Sequence, residues 1–371
     1  MTETKTIQKA PFKGDHVGSF LRPERIKQAR IKNKNGEITA AQLRTIEDEE
    51  IVKLVAKQKD AGLKSITDGE FRRAWWHFDF LEGLTGVEGY DSGSGIQFKG
   101  IETKSRAIKV TDKVAFNDNH SMLADYAFLH QHVGDDHVAK MTIPSPNMLL
   151  LRGEIDESVY ENIEALLPDL TNAYKQTIQA FYNLGCRYLQ LDDTSWATFL
   201  SEEGEQSIRE KGYEPEVLRQ LFSRAINDSI ADRPDDLLIT MHICRGNYRS
   251  HFFSTGSYDA VSETIFSALN VDGLFLEFDD ERSGGFESLR HVNRDDLHVV
   301  LGLITTKSGE LEDKDQIKKR IDEAATYLPL DQLCLSPQCG FASTEEGNNI
   351  TDEAQWRKIR HVVEIAQDVW N

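Results

Sequence analysis

Residues 184–193 read LGCRYLQLDD: a glycine suited to ending a helix, a short apolar run, then two acids. The same order recurs at 61–70 (AGLKSITDGE) and 271–280 (VDGLFLEFDD). A helix C-cap that turns directly into a buried strand is the mark of a βα unit. Working outward, eight short apolar runs, many of them β-branched, are expected as strands at 16–20, 64–68, 140–144, 187–192, 237–243, 273–278, 298–303 and 332–336. Amphipathic stretches at 40–60, 157–184 (with a break near Pro168), 214–230, 257–269, 314–327 and 351–370 are expected as the helices between them. Parallel strands joined by helices predict an α/β fold, a (β/α)8 TIM barrel. The second and third strands are farther apart. Residues 81–136 hold a Gly/Ser-rich loop (GYDSGSG), a hairpin-like stretch (RAIKVTDKVAF) and a helical one (SMLADYAFLHQHV), so they read as an insertion after the second strand. No Pro/Ser-rich linker divides the chain, and a single barrel domain over 1–371 is the economical expectation.

The 371 residues carry 43 Lys and Arg against 62 Asp and Glu, a net charge of −19. Such a field repels phosphates, so nucleic acid and anionic membranes are poor partners and small molecules are expected. No apolar run reaches the roughly 18 residues of a membrane span, and the start MTETKTIQK lacks a signal-peptide core, so a cytoplasmic, reducing location is expected. Four cysteines are too few for a disulfide scaffold and are read as core thiols, nucleophiles or metal ligands.

Barrel chemistry sits at the C-terminal ends of strands, and those ends are polar here. His242 and Cys244 stand two apart, so on an extended strand both point to one side and can grip one ion. Taken alone, that pair also fits a buried thiol beside a satisfied polar neighbour. Cys339 shifts the reading, because SPQCGF places it in a Pro/Gly turn beyond a strand, a poor setting for a packing thiol. Among the crowded acids Glu277, Asp279, Asp280 and Glu281, only Glu277 still belongs to its strand, which makes it the candidate fourth ligand of a tetrahedral Zn²⁺ site. Cys186 and Cys334 fall within strand patterns and are read as core. Gly18 and Ser19 form a turn whose N–H groups can meet a small carboxylate, or a turn and nothing more. Glu70 and Asp192 suit a substrate ammonium, though capping or surface pairing explains them equally well. Trp75 and Trp76, with His77 and Phe78, either wall a pocket or pack a helix face onto the barrel.

Taken together, HVGSFLRP, TDGEFRR, LQLDD, MHICRGN, LEFDDERS and LSPQCGF, in this order over nearly the whole chain, resemble the cobalamin-independent methionine synthases, specifically compact relatives of their catalytic C-terminal half. The resemblance implies zinc held by His242, Cys244, Glu277 and Cys339, and homocysteine held by Gly18, Ser19, Glu70 and Asp192. It also aligns Arg106, in KSRA, with a folate-contacting arginine, and Lys307, in TTKSGELE, with a catalytic histidine. On the methyl-donor side the sequence departs from the family: TIPSPNML lacks the stacking tryptophan, which Trp75 or Trp76 would have to replace, and the folate-contacting glutamate beyond LQLDD is absent around Thr198.

The expected activity is zinc-dependent transfer of a methyl group, from methyltetrahydrofolate or another small donor, to the activated thiolate of homocysteine, forming methionine. Protonation of an amine donor would fall to Lys307 or Glu312. The alternatives are alkyl transfer to or from a different thiol, and a metal-free lyase similar to uroporphyrinogen decarboxylase. That lyase calls for a basic pocket, whereas these strand ends are acidic.

Overall fold

The computed structural model describes residues 10–370; the stretch MTETKTIQK lies outside them. Its centre is a curled, all-parallel sheet of seven strands: β1 (Ser65–Ile66), β2 (Val138–Pro144), β3 (Tyr188–Asp193), β4 (Leu238–Ile243), β5 (Gly273–Glu277), β6 (His298–Ile304) and β7 (Leu333–Pro337). They lie side by side in chain order, each hydrogen-bonded to the next. Strands β3, β5 and β7 are buried along their whole length, as expected where helices cover the outer face.

The run 16–20, expected as a strand, is not one. Residues 13–20 instead lie against both edges of the sheet. Gly14 forms a single parallel bridge to Leu335 of β7. On the other side Thr67 Oγ1 donates to Gly18 O at 2.6 Å and Phe20 N donates to Gly69 O at 3.1 Å. A continuous ladder fails here because side chains take its place. The Asp15 carboxylate accepts from the backbone N–H of Phe12 and His16, and Gly18 turns to φ 149°. Asp15 also anchors the sheet interior, accepting from Ser65 Oγ and Tyr188 OH and pairing with the fully buried Lys140 at 3.5 Å.

The outer helices follow their sequence signals. Ala40–Asp60 opens on a capping box between Thr39 and Gln42. The helix expected over 157–184 begins only at Ile163, where Asn162 caps the N–H of Ala165, and it runs unbroken to Asn183. Pro168 therefore sits early in the helix, where its missing N–H removes one hydrogen bond without breaking the rod.

Within 81–136 the helix Ser121–Val133 packs on β2 and on the helices Ala40–Asp60 and Ile163–Asn183. RAIKVTDKVAF is not a hairpin. Ala107–Ala115 is one strand, paired antiparallel with Thr85–Tyr90 and parallel with Gly153–Ile155. Its turn-like TDK is a bulge: Val87 faces Val110 but Thr85 faces Ala115, and Gly86 adopts φ 81° opposite it. A tight antiparallel pair, Gln97–Phe98 with Ile101–Glu102, projects from this region toward the strand ends.

Candidate active site

At the C-terminal ends of β4, β5 and β7 four ligand-type side chains converge. His242 is in β4 and Cys244 lies just past it, Glu277 closes β5, and Cys339 follows β7. One donor atom from each lies within 4.8 Å of all the others, and all four residues are buried. The two sulfurs are 3.7 Å apart, and His242 Nε2 is 3.7 Å from Glu277 Oε1. Glu277 Oε2 is buried with no hydrogen-bond partner, as expected of an oxygen shaped for a ligand.

The electrostatics are those of a cluster sharing few protons. Burial alone would lower the His242 pKa, but hydrogen bonding to Asp192 and Glu277 overrides it and lifts it to about 10. Burial would raise Glu277, yet His242, Lys307 and Arg282 hold it at about 2. Hydrogen bonding between the two thiols ties their titrations together, so the pair gives up its first proton more readily than its second. Without a cation the His242 ring is held protonated by its acidic neighbours; a metal bound among the sulfurs and the carboxylate would take that proton's place. By contrast Cys186 and Cys334 are fully buried, and burial pushes their pKa values to about 11 and 12. They are inert core thiols.

Beside the cluster opens a cleft lined by Ser19, Glu70, Trp75, Trp76 and Asp192 among others. Gly18 and Ser19 abut the Cys339 turn: Phe341 N donates to Ser19 O at 2.9 Å and Ala342 N to Ser19 Oγ at 3.2 Å. A Cβ on Gly340 would lie 2.0 Å from Ser19 Oγ, and one on Gly18 would lie 2.7 Å from Thr142 Cγ2. Glu70 adopts φ 59°, a left-handed conformation for a residue with a Cβ, and this local strain aims its carboxylate inward. Its Oε1 accepts from Thr142 Oγ1 at 3.0 Å, whereas Oε2 is buried without a partner. Burial raises the Glu70 pKa to about 7 despite Arg73 nearby, with Asp192 adding to the rise. Asp192 stands opposite His242 across the β3–β4 ladder, with its Oδ1 3.4 Å from His242 Nδ1.

Trp75 and Trp76 precede the short helix Phe78–Leu81 and form no helix face. Trp75 bridges to Thr344, and Trp76 N donates to Ser343 O at 3.0 Å, so both line the cleft next to the Cys339 turn. Lys307, Glu312 and Arg106 are not among the lining residues. Lys307 Nζ pairs with the buried Asp279 at 3.2 Å, behind Glu277. Glu312 accepts from Thr305 N and pairs with Lys358. Arg106 makes a two-pronged pair with Glu82. Each of these charges already has a partner within the chain. The structure adds lining residues that sequence reading passed over: Arg152, Phe98, Tyr248 and Phe253. Only Arg152, in MLLLRGE, carried a signal, a lone charge after an apolar run.

A parallel α/β sheet with imidazole, thiols and carboxylate gathered at its strand ends defines an α/β protein with a metal-capable site. The particular family is the cobalamin-independent synthases: residues 12–368 match the model of their catalytic domain, and the chain belongs to it. The chain is 61% identical over 371 residues, 99% of its length and 98% of the relative's, to the uncharacterized protein YxjG of Bacillus subtilis (strain 168). A crystal structure described as a candidate vitamin-B12 independent methionine synthase from Listeria monocytogenes is 50% identical, covers 98% of this chain and 99% of its own, and superposes with a TM-score of 0.82. The fold also matches that of a B12-independent methionine synthase from Shewanella sp. W3-18-1 in complex with selenomethionine, at a TM-score of 0.73 and 16% identity over 96% of this chain and 97% of that one. The family-level activity is that of a methionine-synthase-like methyltransferase. No helix among the described residues is long and apolar enough to cross a membrane.

Proposed function

We propose that this chain is a single-domain enzyme of the (β/α)8 type in which residues 13–20 close the gap between β7 and β1 without forming a strand and 81–136 are an insertion, working in the reducing cytoplasm as a zinc-dependent homocysteine methyltransferase. The observation that carries the reading is the convergence of the His242, Cys244, Glu277 and Cys339 donor atoms within 4.8 Å. Zinc bound there would hold a substrate thiol in its deprotonated, nucleophilic form. The chain's own groups do the rest. The Gly18–Ser19 turn receives the amino-acid carboxylate. Glu70 and Asp192 receive the ammonium, with Thr142 Oγ1 orienting Glu70. Asp192 also steadies His242 through Nδ1, which fixes the ring face turned to the metal. Trp75 and Trp76 shield the cleft from water and position the methyl donor, which must approach in line with the sulfur.

The two inward acids favour homocysteine over thiols without an amino group. The test is methyl transfer to homocysteine and to 2-mercaptoethanesulfonate by zinc-loaded protein, alongside Glu70→Gln. Methionine formation that falls in the variant supports the reading. Equal use of both thiols, unaffected by the variant, overturns it.

A further inference from the structure

The half of the cleft beyond the ligand cluster has an unusual chemistry. Its walls are Trp75, Trp76, Phe98, Tyr248 and Phe253, and Arg152 is the only lysine or arginine among its described lining residues. The Arg152 side chain makes no hydrogen bond or ion pair with any described residue. Its guanidinium sits 5.9 Å from the Phe253 ring, and its Nε is buried with no acceptor. An arginine so placed is poised for an anion that is not part of the protein. One cation cannot balance a chain of carboxylates, and nearby Lys104 is already bound by Glu345 and Glu346. The cleft's two lining carboxyls, Glu70 and Asp192, are already committed to the amino-acid ammonium in the methyltransferase reading, so no lining acid is left for the donor side. Lys307 and Glu312 are paired elsewhere. His77 lies in the wall with Nδ1 unpartnered, and burial, with Arg152 close by, keeps it neutral. A tertiary amine leaves poorly without a proton, whereas a sulfonium or quaternary ammonium leaves as a neutral sulfide or amine and needs none. Aromatic faces hold such cations well.

Resting on the methyltransferase reading above, we propose that the methyl donor of this chain is an onium carboxylate, a methylated sulfonium or quaternary ammonium bearing one carboxylate, with Arg152 on the carboxylate and the aromatic walls around the onium centre. In the step, a lone pair of the homocysteine thiolate forms the S–CH3 bond. The CH3–onium bond breaks with its electron pair going to the departing sulfur or nitrogen, so thiolate plus onium gives methionine plus a neutral sulfide or amine. No proton, oxidant or reductant enters.

The experiment uses zinc-loaded full-length protein with homocysteine and five donors: dimethylsulfoniopropionate, glycine betaine, trimethylsulfonium, and methyltetrahydrofolate with one or three glutamates. Methyl iodide, which needs no donor site, separately reports whether the thiol is activated. The expected result is turnover with dimethylsulfoniopropionate or glycine betaine, the productive one distinguishing sulfur from nitrogen, at a KM roughly tenfold or more below that of trimethylsulfonium. In Arg152→Gln that preference should shrink toward unity, and Arg152→Lys should restore part of it. Calorimetric titration of the metal-free protein with glycine betaine and dimethylsulfoniopropionate gives a readout without turnover: binding weakened about tenfold by Arg152→Gln is expected. Productive methyl iodide with no use of either onium carboxylate overturns the proposal, as does a carboxylate preference that ignores Arg152. Failure with methyl iodide overturns the methyltransferase reading instead, and the calorimetry then decides this one. Should the Gln variant not fold, the donor comparison on the unaltered protein decides it.

Discussion

The sulfurs of Cys244 and Cys339 stand 3.7 Å apart across 95 residues of chain. Cys244 takes a hydrogen bond from Gly246 N at 3.2 Å, so its sulfur is already positioned as an acceptor. Either cysteine changed to serine should drop bound zinc from about one per chain to near zero, with only a modest fall in melting temperature. Metal analysis with parallel calorimetric melting checks this. A melt that collapses together with the metal would mark the ion as structural.

Glu70 predicts a pH dependence of known sign. In the ligand-free protein its pKa is raised to about 7, so below that value it is neutral and a poor partner for an ammonium. Methionine binding should therefore strengthen as pH rises through about 7, and Glu70→Gln should bind weakly with a flat profile. The stability sign is opposite. The folded protein holds this proton more tightly than the unfolded chain, so Glu70's contribution is full below the ordinary carboxylate range and is lost as pH rises through about 7. Melting curves of the ligand-free protein and the Gln variant over that window should diverge.

Lys307 is expected to matter for the scaffold more than for proton transfer. Its partner Asp279 is buried but also touches Arg282 at 3.3 Å. Lys307→Met should thus cost less than the roughly 3–5 kcal/mol of a fully orphaned buried charge. Urea melts give the cost, and pH–rate profiles give the discriminating readout. Loss of an acidic limb in the profile would return Lys307 to the chemistry.

Gly340→Ala should disable the site without touching a ligand. The added Cβ falls 2.0 Å from Ser19 Oγ and 3.1 Å from its Cβ, so the hydroxyl must swing off Ala342 N and the Gly18–Ser19 turn must give way. A KM for homocysteine raised by about tenfold or more, with zinc retained, is the expected outcome.

Much of this was legible in sequence because each strand end carries its chemistry in order. The runs behind β3 to β7 and the helices Ala40–Asp60 and Ser121–Val133 appear almost residue for residue, since apolar periodicity and capping agree there. The four metal-site candidates were readable because each lies at or just past a strand end, two apart at the end of β4 for His242 and Cys244, at the end of β5 for Glu277, and in the turn after β7 for Cys339. What escaped depended on partners far along the chain. The run 16–20 looks like a strand, but Asp15 and Gly18 divert its hydrogen bonds to side chains. TDK looks like a turn, yet Gly86 absorbs it as a bulge. Lys307 aligned with a catalytic position, and only the fold shows Asp279 holding it. Arg152 was overlooked because nothing local reveals that no acid faces it.

The hydrogen bond from Trp76 to Ser343 and the bridge from Trp75 to Thr344 tie the aromatic wall to the turn that bears Cys339. Residues 75–76 and 339–344 are therefore one mechanical unit, and a shift in either segment alters what the other can hold. Exchanging donor preference between relatives will require transplanting both segments together, because a wall grafted alone would carry its new shape into the sulfur ligand behind it.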